Sequence, residues 1–428
     1  MGPQQMSLRH CVRRSPGSGR SSNRPTAAHS PQDNSPRSLQ STAVLRPAIG
    51  VIPPHLTTSI QALNRLSLPP QIKPIRVPPG HSGEQSVDID LILEPDLTPD
   101  QITEIGLKAE EYGIRAIWTS NYFAHWDGFL SLAPLAMATT KIKMGPLAVS
   151  PFEMHPLKIA NSLLTLNELS GGRAVIAMGA GEGNLEAMAL KKPQKVVLAI
   201  REAIEIVKGA ASGQLAGGYK GEIFNVNLPC AYPWVKAKPP IVYGTAYRPM
   251  MMRMEGRVAD GCYIGCTPPE VVEPAMENVR AGLSRRDEQP ADFRVNTFWG
   301  WHIKEDRDAA FAESIRELPW RARLLDPNMI NMYLDEDEIK IVRDNYQEYV
   351  DFYFDPNKPI TSIPFEISAK LAEGLTSTGG IEDVDREIER YKMFAAGGLT
   401  EVALRLHGQP MDALKIIGER VVPALRDC

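Results

Sequence analysis

From Val87 onward, short apolar runs alternate with stretches in which apolar positions recur every three or four residues. The first pattern predicts buried strands and the second predicts amphipathic helices. Strands are predicted at VDIDLILE (87–94), RAIWTSN (115–121), IKMGPLAV (142–149) and RAVIAMG (173–179). Four more follow at PPIVYGT (239–245), GCYIGCT (261–267), FRVNTFWGWHI (293–303) and EVALRLHG (401–408). Thr98 is placed to cap a helix with apolar positions at Ile102, Ile105, Leu107 and Ala109, and Gly113 to stop it. Pro156 opens another, carrying Ile159, Leu163, Leu166 and Leu169. Strands that are apolar throughout and separated by helices predict a parallel sheet covered by helices. Eight such units fit a closed (β/α)8 TIM barrel better than an open doubly wound sheet. Residues 304–400 are too long for one crossover helix, so an excursion over one end of the barrel is expected between strands seven and eight.

The first 86 residues lack this pattern. They hold thirteen of the 36 prolines and ten Lys/Arg against two acids, Asp33 and Glu84. Such a segment buries too little surface to offset its ordering entropy, which predicts a disordered Pro/Ser/Arg-rich tail over 1–86 before a barrel over 87–428. Its Arg- and Ser-rich start resembles an organelle transit peptide. The prolines break any amphipathic helix, however, and a dispensable tail or a start codon placed too far upstream fits better.

With the whole chain at −4 and the tail at +8, the remainder carries −12. That balance gives no reason to expect nucleic acid as a partner. No run of eighteen apolar residues occurs, so no membrane span is expected. Five scattered cysteines argue against a disulfide framework, and a reducing, cytoplasmic location is expected. Cys262 and Cys266 share strand parity, which predicts that both thiols face one side in a buried structural role, without a metal.

In a (β/α)8 barrel the chemistry sits after the C-terminal ends of the strands. After strand two comes Asn121-Tyr122-Phe123-Ala124-His125-Trp126, with four ring side chains in five positions. They form either a hydrophobic plug or a wall for a planar ring, with Tyr122, His125 or Trp126 near the reacting centre. After strand three, Pro146 and Pro151 flank Leu147 and Ala148 and predict a bulge. After strand four, Gly179-Ala180-Gly181-Glu182-Gly183-Asn184 lets a ligand approach the backbone. As a dinucleotide fingerprint it is weak, because Asn184 stands where the third glycine belongs. Glu182 is either a general acid raised by desolvation or a solvated loop carboxylate. After strand five, Gly244-Thr245-Ala246-Tyr247-Arg248-Pro249 leads into a helix whose start would suit a phosphate. Trp299 and Trp301 share a face, leaving His302 on the other, where a buried structural role is expected.

The segment TTKIKMGPLAVSPFEMHPLKIANSLLTLNELSGGRAVIAMGAGEG (139–183) resembles the luciferase-like monooxygenases and their deazaflavin-dependent relatives. AEEYGIRAIWTSNYF, PPIVYGTAYRPMMMRMEGRVADGCYIG and the closing VVPALR add to the resemblance, which spans most of Asp88 to Arg426 and is weakest from about 304 to 378. It implies a barrel holding a flavin-type ring at its C-terminal mouth. The GAGE run is more similar to members that use coenzyme F-420, a hydride-carrying deazaflavin, than to oxygen-using FMN enzymes. In that branch Glu182 matches a proton donor and Trp126 an active-site aromatic. Similarity to the methylenetetrahydromethanopterin reductases across IKMGPLAVSP implies a non-proline cis peptide behind the ring, at Leu147–Ala148. One departure stands out: the branch usually has Asp-His where this chain has Asn121-Tyr122. A phenol with an ordinary pKa of about 10 is a poor base near neutrality, so sugar-phosphate oxidation is not carried over.

The expectation is therefore hydride transfer between coenzyme F-420 and a small organic substrate. Glu182, Trp126 and Tyr122 are the candidate catalytic residues. Asn121, Leu147, Ala148, Gly179, Ala180, Gly181, Asn184, Gly244, Thr245 and Ala246 are the candidate cofactor-binding residues. The alternative is an FMN-dependent monooxygenase fed by a partner flavin reductase. The resemblance also implies a homodimer.

Overall fold

The computed structural model describes residues 86–426, apart from 192, 325–329 and 356. The expected tail therefore lies outside the described residues, save for Ser86. Eight strands, all parallel, form the barrel: β1 (Asp88–Leu93), β2 (Ala116–Ser120), β3 (Lys143–Val149), β4 (Val175–Met178), β7 (Ile241–Ala246), β8 (Gly261–Gly265), β9 (Arg294–Lys304) and β11 (Glu401–Leu406). Each pairs with the next, β8 pairs with β9, and β11 pairs with β1, so the sheet closes. These are the eight strands expected from the apolar runs. The hairpin of β5 (Tyr219–Lys220) and β6 (Asn225–Val226) stands apart as a two-stranded sheet. It is too short to leave a pattern in the sequence.

Local signals set the helix ends. In α1 (Pro99–Tyr112) the Thr98 hydroxyl accepts from Gln101 N–H, Gln101 reaches back to the Thr98 backbone, and Gly113 closes the helix with φ of 78°. A short helix, α2 (Ala133–Ala138), precedes β3. In α3 (Pro156–Leu169), Pro156 takes the first position, where its missing N–H costs nothing. After β4 come α4 (Glu182–Ala187) and α5 (Val196–Ala211); α6 (Pro249–Val258) follows β7 and α7 (Val272–Leu283) follows β8.

Alternate residues of each strand fill the barrel. Ile92, Trp118, Ala177, Tyr243, Tyr263 and Ala403 make its apolar middle. Below them lies a paired polar floor. Asp90 accepts from Arg115 Nε, Trp118 Nε1 and Asn296 Nδ2, each at 2.8 Å, while Glu401 pairs with Arg115 and Arg294. Charges this deep persist only when each is partnered, and a network at this end of a barrel serves stability.

The expected excursion is present. It runs through α8 (Arg307–Ser314), α9 (Leu318–Leu324), α10 (Glu336–Asp344), α11 (Tyr346–Phe354) and α12 (Phe365–Leu375), and it has its own apolar core. A further strand, β10 (Ser377–Gly380), pairs with the last four residues of β9, and α13 (Val384–Ala396) returns the chain to β11. The sequence STGG carries little strand propensity; the overhang of β9 past the barrel makes β10 a strand.

One parity reading is corrected. Cys262 points outward, with Sγ 2.9 Å from Glu255 of α6, but β8 ends at Gly265 and Cys266 has φ of 48°. The left-handed turn breaks the alternation, and Cys266 sits at the mouth near Arg321 and Tyr247 instead.

Candidate active site at the barrel mouth

The mouth divides into two sectors. On the side of β3, β4, β7 and β8 the top inward positions are small: Ala148, Gly179, Thr245 and Gly265. On the side of β11 and β1 they are large and polar or charged: Arg405, His407 and Glu94.

The small-residue sector is built around β3. Its register slips between Leu147 and Val149 against β4, the bulge that the two prolines predict. The Leu147–Ala148 peptide is cis, as the resemblance implied. Gly179 donates to the Val149 carbonyl at 3.1 Å, so the glycine loop stacks on the bulge. A Cβ at Gly179 would lie 2.2 Å from Thr245 Oγ1, and one at Gly181, where φ is 69°, would lie 2.4 Å from Glu153 Oε1. Both positions require glycine.

Asn184 ties three loops together. Its Nδ2 donates to the Asn121 carbonyl and to Glu153 Oε2, each at 3.0 Å. Asn121 N–H in turn donates to the Leu147 carbonyl at 3.0 Å, and Ser150 Oγ donates to the Ala180 carbonyl at 2.9 Å. Glu153 escaped sequence reasoning, because nothing in PFEMHP marks it. Burial pushes its carboxyl up against the opposing hydrogen bond from Asn184, and its Oε1 is buried without a hydrogen-bond partner among the described residues. Glu182, the first residue of α4, is exposed.

The charged sector comes from strand alternation continued past the barrel. Glu94 follows Asp90 and Ile92 inward, and Arg405 and His407 follow Ala403. Arg405 pairs with Glu94 and lies 3.5 Å from Glu317 of the turn before α9. Arg321 meets Glu317 Oε2 at 3.1 Å, and His407 Nε2 donates to Glu317 Oε1 at 2.5 Å. Burial works to raise Glu317, but Arg405, Arg321 and His407 outweigh it and hold the carboxyl well below the usual range. Burial likewise works to raise Glu94, and Arg405 and His407 hold it low. Sequence reasoning missed all four: Arg405 and His407 carried a signal, as polar residues of inward parity on the last strand, and Glu317 and Arg321 carried none.

His302 is buried, as expected. Its ring stacks on His407 with centroids 5.2 Å apart, and Nδ1 lies 3.0 Å from Glu313. Burial pushes its imidazolium below the ordinary value, so it stands neutral and donates from Nδ1. His302, Glu317 and His407 could bring ligand atoms within 4.8 Å of one another. Arg321 and His407 already occupy both Glu317 oxygens, and Arg405 stands beside them. That is a hydrogen-bonded wall rather than a cation site.

The aromatic loop after β2 is split. Phe123 and Trp126 are 54% and 49% exposed, so neither plugs the barrel. Tyr122 lies close to Tyr353 of α11, which packs edge-on against Trp320 of α9. His125 lies 6.0 Å from the Tyr122 ring. The excursion thus reaches across the mouth, and the phenol of Tyr247 faces the same space as Tyr122, Glu182, Cys266 and Arg321. Of the residues expected after β7, Thr245 faces the mouth and Ala246 is buried. Gly244 faces outward, where a Cβ would lie 2.4 Å from Glu255.

A family model for luciferase-like monooxygenases matches residues 74–347. The chain is 26% identical over 346 residues to the 5,10-methylenetetrahydromethanopterin reductase of Archaeoglobus fulgidus, covering 78% of this chain and 98% of that protein. It is 25% identical to an F-420-dependent glucose-6-phosphate dehydrogenase of Microbacterium testaceum, over 77% of this chain and 94% of the relative. In fold it is similar to the coenzyme F-420 dependent tetrahydromethanopterin reductase of Methanopyrus kandleri, with a TM-score of 0.65 at 21% identity, over 79% of this chain and 99% of that one. The closed barrel, the slipped third strand, the glycine loop stacked on it and these matches together establish that the chain belongs to the luciferase-like monooxygenase family.

Proposed function

We propose that this protein is an oxidoreductase that transfers hydride between coenzyme F-420 and a small organic substrate, in the manner of the methylenetetrahydromethanopterin reductase branch. The observation that carries the reading is the two-sector mouth. A cradle of Ala148, Gly179 and Thr245, too tight for an added Cβ at 179, faces a wall led by Arg405, Glu94 and Tyr122. The full-length relatives named for F-420 or for the reductase support the same reading.

The residues present fit a planar ring. Leu147–Ala148 and Gly179 would support one face of it, and Thr245 and Ala246 its edge. Asn121, Ala180, Gly181 and Asn184 would hold the loops around it, and Gly244 would admit Glu255 behind β7. Glu153 Oε1, buried without a hydrogen-bond partner among the described residues, offers the site one further polar contact. When bound, the deazaflavin supplies a hydride at its C5 carbon.

The chain supplies position and protons. Tyr122, beside Tyr353, and Trp126 bound the substrate side, and Glu182 gives or takes the proton that accompanies hydride transfer. Arg405 is always charged and already engaged by Glu94, so it orients an acidic or carbonyl group without moving a proton.

Paired titrations with F-420 and FMN, each oxidised and reduced, test the reading. Tight F-420 binding with weak FMN binding is expected. Preference for reduced FMN would overturn it in favour of an oxygen-using monooxygenase that needs a flavin reductase.

A further inference from the structure

Behind the charged wall, acids and imidazoles alternate along one path. Glu94 Oε1 lies 3.6 Å from His407 Nδ1, and His407 Nε2 lies 2.5 Å from Glu317 Oε1. One ring nitrogen of His302 stands within 4.8 Å of both Glu317 and His407. His302 Nδ1 lies 3.0 Å from Glu313 Oε1, and Glu313 Oε2 lies 2.9 Å from Lys304 Nζ. The end groups, Glu94 at the mouth and Lys304 at the tip of β9, are partly exposed. Glu317 and His302 between them are buried.

Hydrogen-bond distance is lost only between Glu317 and His302. Two buried polar atoms border that gap without a hydrogen-bond partner among the described residues, His302 Nε2 and Arg321 Nη2. Both adjoin Gly300, where a Cβ would lie 3.0 Å from His302 Nε2 and 3.3 Å from Arg321 Nη2. Arg321 Nη2 is also 3.1 Å from Glu317 Oε2, so it reaches the far side of the gap. With the His302 proton on Nδ1, Nε2 accepts, whereas a guanidinium only donates. Buried unpaired atoms of opposite kind call for a group that takes one hydrogen bond and gives another. Water does both.

Such a path has work to do in the reaction proposed above. A carbon that gives up hydride sheds a proton from its hydroxyl or amine, and a carbonyl or iminium that accepts hydride takes one up. Glu182 is exposed and trades protons with solvent directly. A proton shed against the buried wall has no such exit. We propose that His407, Glu317, one water beside Gly300, His302 and Glu313 form a proton relay between the substrate side of the mouth and solvent at the tip of β9. A proton arriving at the His407–Glu317 pair passes through the water to His302 Nε2. The Nδ1–H bond then breaks and Glu313 Oε1 takes that proton, releasing it to solvent beside Lys304. The ring is left protonated on Nε2, and a passage in the opposite sense, or a half-turn about Cβ–Cγ, resets it. Arg321 and Arg405 hold the carboxylates in place and move no proton.

The use of the relay in hydride transfer rests on the function proposed above; its existence does not, and the test needs neither cofactor nor substrate. A neutral imidazole releases its Nδ1 proton only after Nε2 has been protonated, so exchange of that proton with water reports the path. Nuclear magnetic resonance on the full-length protein with isotope-labelled histidine follows it, the His302 signal being assigned by its loss in His302→Gln. Gly300→Ala fills the water's place without touching either imidazole and is expected to slow exchange about tenfold or more. Gly300→Ser adds the same Cβ but supplies a hydroxyl, and should restore exchange to within about threefold of wild type. Glu313→Gln keeps a partner for Nδ1 yet accepts no proton, so it should slow exchange as well. Unchanged exchange in Gly300→Ala would overturn the relay. So would equal slowing by Ala and Ser, which would make the effect one of packing, or a resting His302 proton found on Nε2. If Gly300→Ala does not fold, Glu313→Gln decides: unchanged exchange there also overturns the proposal. Failure of F-420 to bind alongside the expected exchange pattern would remove the hydride-transfer reading and leave the relay standing.

Discussion

Gly179 and Thr245, side by side on the paired strands β4 and β7 at the barrel mouth, approach so closely that a Cβ at position 179 would lie 2.2 Å from Thr245 Oγ1 and 3.4 Å from the Ala148 Cβ. Three neighbouring strands therefore meet at the surface against which a planar ring would rest.

Gly179→Ala should consequently cost about 1–3 kcal/mol of stability, the usual range for overpacking, and weaken cofactor binding at least tenfold. Adding Thr245→Ala removes the offending oxygen and should restore most of the melting temperature. Additive losses in the double variant would show that the two side chains do not compete for one space.

Arg405 is buried between Glu94 and Glu317. Arg405→Met should destabilise the fold by about 3–5 kcal/mol, because two acids lose their shared cation. Urea unfolding at neutral pH measures this. A loss under about 1 kcal/mol would mean that Arg321 and His407 suffice for Glu317 and that solvent reaches Glu94.

Acid stability should depend on the pair His302 and Glu313. Burial works to raise Glu313, but His302 and Lys304 hold it down to about 2, against an ordinary 4.5. The stability it contributes is present above 4.5 and is lost as pH falls from there toward 2. His302 is pushed below its ordinary 6.5, so the unfolded chain takes up its proton first and stability starts to fall as pH drops through 6.5. Glu313→Gln should flatten the melting curve against pH below 4.5 relative to wild type. An unchanged acid limb would count against the pairing.

Glu182→Gln should leave the cofactor dissociation constant within about threefold while lowering turnover on the order of 100-fold. Loss of binding with unchanged single-turnover rates would assign Glu182 to holding the cofactor instead.

Residues 1–86 are expected to be dispensable for folding. Their removal should shift the melting temperature by no more than about 2 °C. A drop beyond about 5 °C would show that they pack on the barrel.

The sequence by itself determined the barrel. Eight apolar runs became eight strands because a strand buried on both faces must be apolar throughout, and that demand is local. Thr98, Gly113 and Pro156 set helix ends by chemistry confined to a few residues. The glycine loop and the bulge at Leu147–Ala148 were legible for the same reason, since backbone freedom and proline geometry are properties of single positions. Only the tertiary structure decided the far side of the mouth. Arg405 and Glu94 pair across 311 residues, and Tyr353 reaches Tyr122 from an excursion with no repeating pattern. Glu153 became a half-buried carboxyl, with Oε1 out of solvent, because the loops after β2 and β4 folded against it. Parity failed at Cys266, where one left-handed residue ended the strand. Periodicity reports which face of an element is buried; which distant groups share the burial depends on how the barrel closes.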